Sequence, residues 1–495
     1  MTAAGERISL IRGARPVDGA ALFGSDDPID IAIADGRIAD IAPAGALTPG
    51  GAVLEADGCW VLPGLWDHHV HTVQWALDSQ RVPLGGVRSA AEAAAVMAAA
   101  APLPDGRRVG AGMRDGLWPD RPDLAALDAV TGDVPTYLIN ADVHSVWLNS
   151  AAFRREGFPP AQDGMLREEE AFEISRRLNA ADDALADAAV QEAGRRAAAR
   201  GVTGIVDFDM AWNAEAWRRR CVAGFDLHHV EFAFYPPGLT RAIDEGLRTG
   251  AELPDTGGLV RVGPLKLISD GSLGTRTAAC SHAYADDPGN TGVLTIAPDE
   301  LRELLTTATA AGIDVAVHAI GDRAVAAALD AFTCTQARGT IEHAQLVRHA
   351  DLARFGRLGV VASVQPQHAV DDRDLATRLW RDQDAIGYPL ASLFAAGVPV
   401  RFGSDAPVAP LDPWLGIAAA VARTGDDRAP WHPEERVPVS TALRASSRHG
   451  EAELRPGADA DLAVCGRDPR TASAAELRGM PVAATLLGGR LTHLG

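Results

Sequence analysis

The sequence predicts an α/β fold: a TIM-type (β/α)8 barrel, a small β-sandwich domain assembled from both termini, and a large insertion after the first barrel strand. Three observations predict it. Eight short apolar runs each end in polar or ionisable residues and lead into a helical stretch, the alternation expected of parallel strands with crossover helices. Both ends of the chain carry alternating apolar hairpins. The first and second runs are separated by far more chain than one crossover helix needs.

Taken in order, "PIDIAIADGRIADIAP" alternates Ile29, Ile31 and Ile33, turns at Asp35-Gly36, and resumes with Ile38 and Ile41. Near the other end "AATLLGGRLTHLG" repeats the pattern around Gly488-Gly489. A lone hairpin is marginal in water, so residues 1–60 and 440–495 are expected to share one composite β-domain. The barrel occupies residues 61–72 and 201–439. Its runs are "VLPGLWDHHVHT", "GVTGIVDFD", "FDLHHVEFAFY", "VRVGPLKLISDG", "IDVAVHAIGD", "GTIEHAQ", "VVASVQPQH" and "PVRFGSDAPV". Residues 73–200 form the insertion, with strand-like "RRVGAGM" and "VPTYLINADVH" and a charged helical stretch from Arg167 to Arg200, and are expected to cover the barrel mouth.

Composition narrows the function. Apolar content of 47% and charged content of 23% are those of a soluble globular chain with a sizeable core. A net charge of −20 repels phosphate backbones and anionic lipid, so neither nucleic acid nor membrane is an expected partner; a small-molecule substrate is. The 5 cysteines are scattered and form no CxxC pair, which suits a reducing cytoplasm. A homodimer is the closed assembly expected by default.

The chemistry concentrates at strand ends, the active face of such a barrel. His69 and His71 are two apart on the first strand and share a face, so one metal can hold both. His318 ends the fifth run, His343 the sixth and Asp405 the eighth. Imidazoles and a carboxylate converging from separate strands suit a divalent, zinc-type ion. Lys266, the one lysine in the chain, ends the fourth run. Its amine can be deprotonated when buried, as a guanidinium cannot. A neutral amine can add carbon dioxide and become a carbamate that bridges two cations.

Together "PGLWDHHVHT" and "LRPGADADLAV" resemble the signatures of the amidohydrolase superfamily of metal-dependent hydrolases. More narrowly, "VHSVWLNSAAF", "KLISDGSLGTRTA", "HAIGDRA", "IEHAQ", "SVQPQH" and "GSDAPVAPLDP" resemble the YtcJ-like branch, amidohydrolase family 3, which includes N-substituted formamide deformylase. The resemblance spans essentially the whole chain and departs from the pattern at "GMRDGLW" and "ADVH", both in the insertion. It implies His69, His71 and Asp405 on one zinc, His318 and His343 on a second, and N-carboxylated Lys266 between them. It further implies hydrolysis of a non-peptide C–N bond in a small N-acyl or N-formyl compound by metal-activated hydroxide, with Asp405 as general acid and base. A mononuclear zinc deaminase of the same superfamily is the alternative, but it needs an acid/base Glu after the fifth-strand His, where this chain offers Asp322.

Further candidates surround this centre. His144, Trp147 and Asn149 are expected to reach down from the insertion to substrate, with Arg276 as a polar anchor or a partner of Asp270, and His368 after the seventh strand. Asp322 and Glu342 are expected to orient metal ligands.

Overall fold

A computed structural model describes residues 5–17, 26–78, 81–103, 105–179, 183–381, 383–450 and 453–495. Eight parallel strands form its centre: β1 (Leu65–Val70), β2 (Val202–Asp207), β3 (His229–Phe234), β4 (Val260–Ile268), β5 (Val315–Ala319), β6 (Gly339–His343), β7 (Val361–Val364) and β8 (Val400–Phe402). Each pairs in parallel with the next, in sequence order from β1 to β8. All eight apolar runs of the sequence are therefore barrel strands.

The seam between β8 and β1 closes without a regular ladder. Asp405 N–H donates to His69 O at 2.7 Å, and His71 N–H donates to Ala406 O at 2.8 Å. At the opposite end Trp66 N–H donates to Ser446 O at 2.7 Å. The strands read as near-continuous apolar runs because both faces are covered. Leu65, Ile205, Phe232, Leu265 and Val317 pack outward on the helices, while Trp66, Val206, Ala233 and Ala316 fill the lumen. Gly204 is required there, since a Cβ would run into the Trp66 indole.

Strands from both termini join one eight-stranded sheet: Ile8–Pro16, Ile29–Ala34, Arg37–Pro43, Ala52–Glu55 and Trp60–Pro63 with Leu462–Cys465, Val482–Leu487 and Arg490–Leu494. Strand Ile8–Pro16 serves two halves, pairing Ala52–Glu55 along its first part and Trp60–Val61 at its end. The turn residues Asp35 (φ 50°) and Gly36 (φ 77°) are both left-handed, the two-residue hairpin that the Asp-Gly pair predicts.

Residues 82–167 build a separate five-stranded sheet with its own apolar core. The helix Asp183–Ala198, within the long stretch between β1 and β2, instead packs Val190, Ala193 and Ala197 into the barrel core. Among the described residues no helix is long and apolar enough to cross a membrane.

Candidate active site

The C-terminal ends of the strands converge on a cavity of about 80 Å³ lined by His69, His71, Lys266, His318, His343, His368 and Asp405. Its walls come from two sources. The strand ends supply the imidazoles, the lysine and the aspartate; the insertion supplies Arg114, Asn140, Asp142, His144 and Phe172.

On β1 the pairing slips between Asp67, opposite Ile205, and Val70, opposite Asp207. This bulge inserts a residue, which is how a strand end re-aims a side chain beside a site. It leaves His69 and His71 with ring centroids 5.6 Å apart, each Nε2 within 3.4 Å of Asp405 Oδ1. His68 turns away and bonds Phe402 O through Nδ1 at 3.0 Å. Gly403 lets the final strand pass close by, since a Cβ there would sit 2.7 Å from His69 N.

Asp405 (φ 59°) and His343 (φ 72°) both hold left-handed backbone, unusual for residues with a side chain and frequent at functional sites. His343 stands 4.5 Å from His318 and 4.9 Å from His69, centroid to centroid. Its Nδ1 is fixed by Gln365 at 2.9 Å. His368, on the helix Pro366–Asp371, bonds Gln345 and places Nε2 4.0 Å from Asp405. Among the described residues two groups could hold a metal ion: His69, His71 and Asp405, and His343, His368 and Asp405, the candidate atoms of each lying within 4.8 Å of one another.

Burial disfavours charge on three of the strand-end imidazoles. Burial holds His69, His318 and His343 below the ordinary imidazole value, with Lys266 adding to the effect. Burial would raise Asp405, but His69, His71 and His343 hold it well below the usual carboxylate range. Lys266, 2% exposed, is pulled down to about 8 by burial, against Glu342 and Asp405. Its Nζ lies 5.0 Å from the Phe208 ring centroid.

Glu342 fixes the His69 ring: its Oε2 lies 2.6 Å from His69 Nδ1, and it also takes the Thr340 hydroxyl. Asp270 does the same for His318 at 3.5 Å while accepting the N–H groups of Ala279, Ile320 and Gly321. Asp67 accepts the N–H groups of His69 and Ser404 and so clamps the seam.

A family model described as the amidohydrolase family matches residues 52–493. The chain belongs to the amidohydrolase family. It is similar to the protein LONG AFTER FAR-RED 3 of Arabidopsis thaliana, 28% identical over 90% of this chain and 86% of that one. It is also similar to N-substituted formamide deformylase of Arthrobacter pascens, 26% identical over 94% of each chain. The barrel and its additions superpose on a metal-dependent hydrolase of Pyrococcus horikoshii with a TM-score of 0.78, at 24% identity over 94% of this chain and 99% of that one.

Not every residue expected at the site of this amidohydrolase is brought there. Trp147 faces the insertion's own core, packed with Leu138 and Met165, because its strand is sandwiched between two others. Asn149 caps the helix Ser150–Glu156 and bonds Thr136, Thr131, Gly132 and Val134, so its amide is fully used. Arg276 pairs with neither substrate space nor Asp270; its guanidinium grips Asp286 at 2.8 and 3.1 Å. Asp322 receives the N–H and hydroxyl of Ser281 rather than touching a ligand. His144 does line the cavity, 5.5 Å from His318. Sequence reasoning missed its partner Glu168, whose Oε2 lies 2.8 Å from His144 Nδ1. Burial works against charge on His144, but Glu168, Asp142 and Asp405 lift it to about 9.

Proposed function

We propose that this amidohydrolase cleaves a non-peptide C–N bond in a small N-acyl or N-formyl compound with the help of divalent metal. The observation that carries the reading is the convergence of His69, His71, His318, His343, Lys266 and Asp405 on one buried cavity. The donor set fits a zinc-type ion: neutral imidazoles and an ionised carboxylate are its usual nitrogen and oxygen ligands. His71 Nδ1 and His368 Nε2 are also buried without a hydrogen-bond partner. His69, His71 and Asp405 would hold one ion, His318 and His343 a second, with Lys266 shared as its carbamate. A bound divalent cation supplies Lewis acidity, lowering the pKa of water and polarising an acyl oxygen.

The chain's own groups supply the rest. Lys266 must lose a proton before its nitrogen can bond carbon dioxide, and burial brings that within reach near pH 8. Asp405 would take a proton from the attacking water and return it to the leaving nitrogen. His144, kept protonated by Glu168, offers a charged N–H at the insertion side of the cavity, where the acyl oxygen gains negative charge.

Metal content measured by plasma mass spectrometry, on protein purified without chelator, tests this beside Lys266→Arg. Two ions per chain in the wild type, falling to one or none in the variant, are expected. One ion in both would end the binuclear reading. A panel of N-formyl amines, N-acyl amino acids and cyclic amides then reads the bond cleaved, and ammonia release from aminopurines or cytosine in their place would point to deamination.

A further inference from the structure

A second, larger cavity of about 840 Å³ opens beside the metal cavity. One wall is the insertion helix Glu169–Asn179; the other is formed by the segments that follow β2, β3 and β4. Phe172, Met210, Tyr235 and Ile268 line both cavities, so the two spaces adjoin.

The larger space is lined mainly by hydrocarbon, with Trp212, Phe234, Pro236 and Ile296 beyond the shared residues. Its two arginines are already neutralised. Arg176 bonds Glu169 and Glu173, while Arg241 pairs with Glu215 and Glu245 and lies 4.4 Å over the Trp212 ring. Neither is left to select an anionic ligand. The remaining carboxylate at the junction, Glu168, is committed to His144, Thr275 and Thr277. An apolar space of this size next to a polar reaction centre is the arrangement that selects a substrate with a polar head and an apolar body.

We propose that this annex binds a hydrocarbon substituent, alkyl or aryl, carried by the substrate whose C–N bond sits in the metal cavity. The assignment rests on the hydrolase reading for the head of the molecule, but the annex itself is read from its lining alone. Substrates of this enzyme are therefore amphipathic amides, and small polar amides leave the annex unfilled.

The test is a series of N-alkylformamides from methyl to decyl, with Kd measured by calorimetry on both metal-loaded and chelator-treated protein. Affinity is expected to rise about fourfold per methylene until the annex is filled, the factor that burying one CH2 provides. Ala211→Trp, which fills the annex from its rim, should remove that rise; Trp212→Ala, which enlarges it, should carry the rise to longer chains. A flat series, or a rise that neither variant changes, would overturn the assignment. Turnover of the same compounds by metal-loaded protein is read separately. A chain-length dependence of Kd without turnover would keep the annex and remove the hydrolase reading; turnover with a flat series would do the reverse.

Discussion

Two carboxylate–imidazole pairs stand at the same cavity, and their rings are pushed in opposite directions. In the barrel wall Glu342 holds His69 through Nδ1 at 2.6 Å; in the insertion Glu168 holds His144 through Nδ1 at 2.8 Å. Burial disfavours the imidazolium in both. At His69 burial prevails over Asp405 and Glu342, with Lys266 opposing a further positive charge. At His144 the acids Glu168, Asp142 and Asp405 prevail, and the ring stays charged to about pH 9. One motif thus yields a ring on which charge is disfavoured and a ring on which it is favoured. What differs is Lys266 beside one ring and Asp142 beside the other.

That contrast can be broken from either side. Asp405→Asn strikes both, since this carboxylate touches His69 and His71 and adds to the field at His144; kcat/KM is expected to fall by about 10³-fold. Glu342→Gln should weaken metal retention by roughly 10–100-fold, read by competition with a chelator, because it loosens the ring that His69 presents. Glu168→Gln should leave metal content unchanged and lower kcat/KM by about tenfold, the worth of one hydrogen bond to a charged group. Loss of metal in this variant would show that the two pairs form one network.

The pH dependence sharpens the contrast. The activity owed to charged His144 is present below about pH 9 and is lost as pH rises through that value, and Glu168→Gln should move the loss to lower pH. Because the folded-state value is raised from 6.5, the pair's contribution to stability is full below 6.5 and fades as pH passes about 9. The difference in Tm between wild type and Glu168→Gln should therefore shrink between pH 6 and pH 10. Smallest in activity is Asn149→Ala, which removes a cap and several buried bonds: stability should fall by about 1–3 kcal/mol while kcat/KM stays within twofold.

The barrel was legible in the sequence because strand ends obey a short-range rule. An apolar run that stops at His318, His343 or Lys266 places that residue on the active face whatever else the chain does. Glu342 was legible for the same reason, one residue before a strand-end histidine. The insertion obeys no such rule. "VHSVWLNS" contains three residues able to bind substrate, yet strand alternation and a helix cap turn Trp147 and Asn149 inward and leave His144 alone at the cavity. Glu168 meets His144 from a turn 24 residues further on, with its own backbone left-handed at φ 49°, and nothing in its local pattern marks it. Arg276 was misjudged because exposed Asp286, ten residues ahead in a loop, offered a nearer partner than Asp270.

The seam of the barrel also sets when this centre can exist. Asp67 clamps the N–H of Ser404 across 337 residues of chain. At roughly 5–20 residues per second, His69 and His71 leave the ribosome tens of seconds before Asp405 is made. A growing chain therefore displays His69 and His71 long before Asp405 and the closing seam can join them.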